Sequence, residues 1–135
     1  MIHFDSSFLI DLQRELLRER PAAAFDLIES FDPGEILAVS VHVVCELRAG
    51  AELTKKAVAE HEAVDHLLSG LLVVYPDDRF PVLYGRLLAA TRRSRVTIAS
   101  MDLLIGTAAL LENAALVTRN VKDFSKIPGL RLLTY

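Results

Sequence analysis

Four acidic residues could together hold a metal ion, because each lies beside a strongly apolar run at a predicted junction between strand and helix. They are Asp5, Glu46, Asp102 and Asp123. Parallel strands end at one edge of a sheet, so we expect these side chains to converge there. Two carboxylates about 4–5 Å apart repel by roughly 3–4 kcal/mol at an effective dielectric of about 20, and a divalent cation removes that repulsion. Mg²⁺ and Mn²⁺ prefer oxygen ligands, and such a site suits cleavage of a phosphodiester.

Each acid taken alone also has an ordinary structural explanation. Asp5 is placed to cap the helix that begins near Ser7, and Asp102 suits the positive end of a helix. Asp123 is typical of an Asx turn, and Glu46 of a solvated helix surface. The hypothesis of a metal site therefore depends on the four acids meeting in space.

The composition indicates a folded domain without a general affinity for nucleic acid. The chain has 135 residues, 52% of them hydrophobic, which predicts a single domain over residues 1–135 with a well-filled core. Its net charge of −3 excludes a generally basic nucleic-acid coat, so contact with RNA would need a local basic patch. The candidate residues for that patch are Arg92, Arg93, Arg95, Arg119 and Lys122. A run such as TRRSR is also typical of a solvated loop.

Other features favour a soluble cytoplasmic protein. The single cysteine, Cys45, cannot form an internal disulfide, which favours a reducing compartment. The start of the chain lacks the pattern of a signal peptide, and the longest apolar runs are too short for a membrane span. His3 and His42 are expected to be surface or satisfied junction residues rather than catalytic bases.

Short apolar runs alternate with helical patterns along the whole chain. The runs predict strands over residues 2–4, 36–39, 71–74, 115–117 and 130–133. Helices are predicted over 8–17, from Pro21, over 41–49 before Gly50, over 53–68, after a cap at Asp77 or Asp78, and from an N-cap at Ser100 to Glu112. This order predicts an α/β fold, with a central parallel sheet of about five strands between two helical layers.

Four segments carry a resemblance to a known family. They are FDSSFL, VSVHVVCELRAGA, VTIASMDLLIGTAALLENAALVTRNVKDF and IPGLRLLTY. With them, essentially the whole chain resembles the PIN-domain ribonucleases, and most closely the VapC-type toxins of prokaryotic toxin–antitoxin pairs. The resemblance implies that Asp5, Glu46 and Asp102 are catalytic, metal-binding acids. Family members often have an acid where this chain has Asn120, and Asp123 follows three residues later, so either residue could complete the site.

The resemblance also implies roles for two hydroxyl residues and for several partners. Ser7 and Thr118 resemble groups that orient the acids, although both also suit an N-cap or a strand end. The implied activity is a Mg²⁺- or Mn²⁺-dependent endoribonuclease that cleaves structured RNA, such as tRNA or rRNA, and inhibits translation. The implied partners are a cognate antitoxin and a second copy of the chain in a homodimer.

Three alternatives remain from the residues alone. One is a PIN-like module that binds RNA or protein without cutting. Another is a phosphoacceptor receiver domain, which would need an acid at the end of the third strand, where this chain has Tyr75 and Pro76. A phosphatase of the haloacid dehalogenase type would need a second Asp two residues after Asp5, where this chain has Ser7.

Overall fold

The computed structural model describes residues 1–20 and 22–135. In these residues the elements are β1 (Ile2–Phe4), α1 (Ser6–Leu17), α2 (Ala23–Ser30), β2 (Leu37–Ser40), α3 (Val41–Glu52), α4 (Ala57–Leu68), β3 (Leu72–Val74), α5 (Phe80–Arg93), α6 (Ser100–Leu111), β4 (Ala115–Val117), α7 (Val121–Phe124) and β5 (Leu132–Leu133). No helix in the described residues is both long and apolar enough to span a bilayer.

The five strands form one parallel sheet in the order β3-β2-β1-β4-β5. The predicted α/β/α fold with a central parallel sheet is therefore confirmed. The chain runs outward from β1 through β2 to β3 and then returns to place β4 on the other side of β1. The crevice between β1 and β4 is thus the point at which the strand order reverses, where open α/β sheets bind their ligands.

Aromatic packing fixes the start of α1 against the central strand. The rings of Phe4 and Phe8 are stacked with centroids 4.7 Å apart, and both side chains are fully buried. Tyr135, next to β5, packs against Phe8 in a T-shaped arrangement, with ring centroids 5.0 Å apart. Since Phe4 ends β1 and Phe8 lies in the first turns of α1, this packing holds the intervening junction in place.

The central strand also buries a histidine, contrary to expectation. His3 on β1 is fully buried, and within the described residues neither of its ring nitrogens has a hydrogen-bond partner. Burial, together with the positive N-terminus, lowers the pKa of His3 to about 4. His3 is therefore a neutral core residue near pH 7, and its prediction as a surface or satisfied residue was wrong.

Several predicted helix boundaries differ from the observed ones. Gly50 does not end the third helix, because α3 continues to Glu52 and a methyl group at residue 50 would meet open space. The next helix begins at Ala57 rather than at residue 53. Ser100 is the first helical residue of α6, and Ala99 occupies the N-cap. Pro21, predicted to open a helix, lies outside the described residues.

Two further details concern the turn before α5 and the segment after α7. The predicted cap at Asp77 or Asp78 is wrong, because Arg79 occupies the N-cap of α5; Asp77 instead holds the preceding turn, where its carboxylate accepts a hydrogen bond from the backbone N–H of Arg79 at 2.9 Å. Gly106 in α6 has no side chain, and a Cβ there would overlap Cδ1 of Ile127. This close approach lets the segment after α7 pack directly on α6.

Candidate active site

Asp5 lies at the carboxyl end of β1, beside the point where the strand order reverses. Phe4 pairs with Val117 in β4, so Asp5 and Thr118 leave the sheet side by side. The Asp5 side chain is only 5% exposed. It occupies the N-cap of α1, yet its carboxylate makes no capping hydrogen bond to the described backbone of that helix. Helix capping therefore does not explain this acid.

Two hydroxyl groups orient the Asp5 carboxylate. Its Oδ2 atom accepts hydrogen bonds from Ser7 Oγ at 2.9 Å and from Thr118 Oγ1 at 2.8 Å. The hydroxyls are held in turn, since the backbone N–H of Arg119 donates to Ser7 Oγ and that of Asn120 donates to Thr118 Oγ1. The turn after β4 and the first turn of α1 thus lock one carboxylate oxygen in place.

Glu46 faces the same region from α3. Ser6 Oγ donates a hydrogen bond to Glu46 Oε1 at 3.1 Å and lies 3.5 Å from Asp5 Oδ1. Burial raises the pKa of Glu46, the hydrogen bond from Ser6 opposes this, and the negative charges of Asp5 and Asp102 add to the increase. Glu46 is therefore half-buried and sensitive to both neighbouring acids.

Asp102 approaches from the first turn of α6. Burial raises its pKa, and so do the negative charges of Asp5 and Asp123, while Lys126 acts in the opposite direction. Asp102, in the first turn of α6, is therefore within electrostatic range of Asp5, Glu46 and Asp123.

Asp123 differs from the other acids in its surroundings. It lies in α7, with 41% of its side chain exposed, and Lys126 Nζ donates to its Oδ1 at 3.3 Å. Hydrogen bonds from Asn120 and Lys126 lower the pKa of Asp123. Asn120 is the N-cap residue of α7. The charge of Asp123 is thus already stabilised within the chain.

Sequence reasoning missed two residues at this site. Ser6 links Asp5 to Glu46 across 40 residues of chain, and the sequence signal was only its place between Asp5 and Ser7. Lys126 follows Asp123 by three residues, a spacing that brings side chains together on one helical turn.

The predicted basic residues are exposed in two segments of the chain, at the end of α5 and after β4. Arg92, Arg93 and Arg95 are exposed at the end of α5 and in the loop that leads to α6. Arg119 is also exposed, but its Nη1 atom bonds both carboxylate oxygens of Asp11, at 2.9 and 2.8 Å. Lys122 is exposed on α7.

The acidic residues offer the oxygen ligands that a hard cation prefers, although in the described residues they do not enclose an ion site. Among residues 1–20 and 22–135, no three Asp, Glu, His or Cys side chains already lie close enough to enclose a metal ion. The donor set is nevertheless all oxygen, which Mg²⁺ and Mn²⁺ prefer. Asp5 keeps Oδ1 free of the two orienting hydroxyls, and neither Glu46 nor Asp102 forms an ion pair with any described residue. These residues fit a divalent ion.

The PIN domain family model matches residues 2–130. The chain belongs to the PIN domain family. It is 31% identical over 116 residues to ribonuclease VapC2 of Rickettsia felis, an alignment that covers 86% of this chain and 87% of that protein. The predicted membership of the VapC type is confirmed, and it replaces the receiver-domain and phosphatase alternatives.

Two solved structures share the whole PIN fold described above. One is VapBC2 from Rickettsia felis bound to a DNA fragment from its promoter, with a TM-score of 0.88 and 28% identity over 100% of this chain and 99% of that one. The other is VapBC-1 from nontypeable Haemophilus influenzae, with a TM-score of 0.87 and 27% identity over 99% of this chain and 98% of that one.

Proposed function

We propose that this protein is a Mg²⁺- or Mn²⁺-dependent endoribonuclease and the toxin of a toxin–antitoxin pair. The observation that carries the proposal is the buried Asp5 carboxylate, held by two hydroxyls at the reversal point of the sheet and linked through Ser6 to Glu46, with Asp102 within electrostatic range. The similar VapC2 protein of Rickettsia felis is named a ribonuclease, which supports the same chemistry.

Asp5, Glu46 and Asp102 are the residues that would hold the divalent ion. When bound, the ion supplies activation of water and neutralises charge on the phosphate. Ser7 and Thr118 keep the Asp5 carboxylate in one orientation. Asn120 and Asp123 border the site on the side of α7.

The substrate we propose is a structured RNA, such as tRNA or rRNA, whose cleavage would inhibit translation in the cytoplasm. The loop with Arg95 leads directly to the helix that carries Asp102, and Lys126 Nζ bonds the carbonyl of Thr97 in that loop at 3.0 Å. The exposed arginines at the end of α5 thus lie close in sequence to Asp102 and are suited to RNA phosphates. Lys122 and Arg119 would add RNA contacts from the segment after β4. Arg119 would first have to break its ion pair with Asp11.

A small antitoxin and a second copy of the chain are the proposed protein partners. The two similar structures from Rickettsia felis and Haemophilus influenzae are VapBC assemblies, which supports an antitoxin. A groove of about 540 Å³ runs between α1, α3 and α4, from Ser6 and Glu46 to Leu17 and Val64. An antitoxin segment in this groove would reach the acids and could place a basic side chain among them.

Neutralising the acids tests the enzymatic part of this proposal. Asp5→Asn and Asp102→Asn should each reduce RNA cleavage by at least ~10²-fold with the fold intact, because each removes a metal ligand. The measurement is cleavage of a structured RNA in Mg²⁺ or Mn²⁺, with EDTA as the metal-free control and circular dichroism to check folding. Asp26→Asn makes the same chemical change at an exposed position on α2 and should cut at the parent's rate. Parental activity in Asp5→Asn would refute the proposal.

A PIN-like module that binds RNA without cutting is the second candidate. It is favoured by the observation that, in the described residues, the acids do not already enclose an ion. Such a module would bind RNA equally well with and without EDTA and would leave it intact, so the same assay separates the two functions.

A further inference from the structure

Lys126 places a positive charge at the border of the acidic site. Its Nζ atom donates to Asp123 Oδ1 at 3.3 Å and to the carbonyl oxygen of Thr97 at 3.0 Å. Its side chain is only 33% exposed. The next residue, Ile127, packs against α6 in the space that Gly106 leaves. The Lys126 ammonium group is therefore held by its hydrogen bonds to Asp123 and Thr97, and the packing of Ile127 fixes the backbone beside it.

The surroundings of the acids divide them into two groups. Asp123 has a cation within the chain, and Asn120 also stabilises its charge. Glu46 and Asp102 are half-buried and form no ion pair among the described residues, while Asp5 is held only by neutral hydroxyls. A divalent ion would thus be attracted more strongly to Asp5, Glu46 and Asp102 than to Asp123, whose charge Lys126 already compensates in part.

Two-metal sites bind their ions about 3.5–4 Å apart, so a second ion needs further oxygen ligands beside those of the first. In this protein a second ion on the α7 side would need Asp123, whose Oδ1 already accepts from Lys126. It would also lie next to the Lys126 ammonium, and like charges repel strongly at short distance.

We propose that Lys126 is a built-in cation that pairs with Asp123, so that the protein binds one divalent ion at Asp5, Glu46 and Asp102, with Asp123 outside its ligands. This inference rests on the metal-dependent function proposed above. Lys126 acts as a positioning residue, because it fixes Asp123 and the loop at Thr97 rather than touching the reacting atoms.

The test counts Mn²⁺ ions bound to the full-length chain, by electron paramagnetic resonance of the free ion. The parent should bind one ion at saturation. Lys126→Met, which removes the charge at similar length, should bind two, and Lys126→Arg, which keeps the charge, should bind one. The double variant Asp123→Asn with Lys126→Met removes the pair without changing net charge. It should bind one ion with an affinity within about fivefold of the parent's, since neither side chain is a proposed ligand and the net charge beside the three acids is unchanged.

Each contrary result has a separate meaning. Two ions in the parent, or no second ion in folded Lys126→Met, would overturn the role of Lys126. If the double variant binds Mn²⁺ at least about tenfold more weakly, as the loss of a ligand or its support would cause, Asp123 belongs to the metal site and the inference fails. A parent that binds no Mn²⁺ would instead refute the metal site itself, and with it the proposed function.

Discussion

Asp5 is a buried carboxylate whose nearest hydrogen-bond donors are neutral hydroxyls. A buried charge without a cation is costly, and the bonds from Ser7 and Thr118 offset only part of that cost. They fix the direction of the carboxylate while leaving its charge uncompensated. This combination of a fixed orientation and an unpaired charge is what a metal ligand needs.

The Thr118 hydroxyl should therefore be required for activity, although it is not among the proposed metal ligands. Thr118→Val keeps the shape of the side chain but removes both the bond to Asp5 and the acceptor for Asn120 N–H. We expect cleavage to fall by about 10–100-fold and the free energy of unfolding to fall by about 1–3 kcal/mol. Thr118→Ser restores the hydroxyl and should recover most of both losses. Cleavage kinetics and urea unfolding measure them, and parental activity in Thr118→Val would show that the hydroxyl has no such role.

Arg95 adopts a backbone conformation that disfavours its side chain. It ends α5 with a φ of 56°, and Glu19 ends α1 in the same way with a φ of 50°. Left-handed conformations cost a non-glycine residue roughly 1–2 kcal/mol. Glycine is the usual residue at this position after a helix. Arg95 and Glu19 therefore each lower the stability of the folded state.

The two positions form a matched pair for testing the RNA contact. Arg95→Gly and Glu19→Gly should each raise the free energy of unfolding by about 0.5–1 kcal/mol, the strain relieved less the extra backbone entropy of glycine. Only Arg95→Gly should weaken RNA binding. In that variant the slope of log affinity against log salt concentration should fall by about 1, the effect of losing one phosphate contact. Unfolding in urea and RNA titration over a salt series measure the two effects. Equal RNA affinities in the two variants would remove Arg95 from the proposed RNA surface.

Among the elements, α6 packs closely against the segment after α7. It carries Asp102 at its start and Gly106 one turn later, where Ile127 lies against the helix. Ile127 is only 2% exposed, so it has little room to move. The position of Lys126 and Asp123 relative to Asp102 therefore depends on residue 106 being glycine.

The same substitution in two helices should reveal this contact. Gly50→Ala in α3 meets open space and should stabilise the protein by about 0.5–1 kcal/mol, the gain in helix propensity. Gly106→Ala gains the same propensity but displaces Ile127, and overpacking a core typically costs about 1–3 kcal/mol. We expect Gly106→Ala to be less stable than Gly50→Ala by at least about 1 kcal/mol. Urea denaturation measures the difference, and equal midpoints would show that Ile127 adjusts freely.

The sequence predicted elements whose signal is local and missed those that depend on contacts. The apolar runs gave all five strands to within two residues, because buried parallel strands are continuously apolar. The four-residue α7 was missed, since it is too short to show a helical period. Gly50 was read as a helix end, yet glycine also fits inside a helix at a moderate cost. At the site, Ser6 and Lys126 were missed because their roles depend on Glu46 and Thr97, which are distant in the chain.

At the scale of the whole molecule, the parallel sheet is what brings the acids together. Asp5 follows β1, Glu46 lies in the helix after β2, and Asp102 opens the helix before β4. Unfolding disperses these residues, so the unfolded chain would lack the combined site. A divalent ion should therefore bind the folded state far more tightly and stabilise it in proportion to its concentration.

Metal addition should consequently raise the melting temperature. At a Mg²⁺ or Mn²⁺ concentration of 100 times the dissociation constant, the gain is about 2.7 kcal/mol, or about 10 °C for a domain of this size. EDTA should reverse this rise in melting temperature.

The variant Asp102→Asn provides a control, because removing this charge should stabilise the metal-free protein. Burial and neighbouring charges raise the pKa of Asp102, so its ionised form destabilises the metal-free fold near pH 7.

Without metal, Asp102→Asn should therefore melt above the parent, and with metal it should show little further shift. Differential scanning calorimetry of both proteins, with and without the ion, measures the four temperatures. A parent that gains nothing from the ion would contradict the metal site. A metal-free variant that melts below the parent would contradict the inferred repulsion, because the acids would then stabilise one another through contacts that do not require a cation.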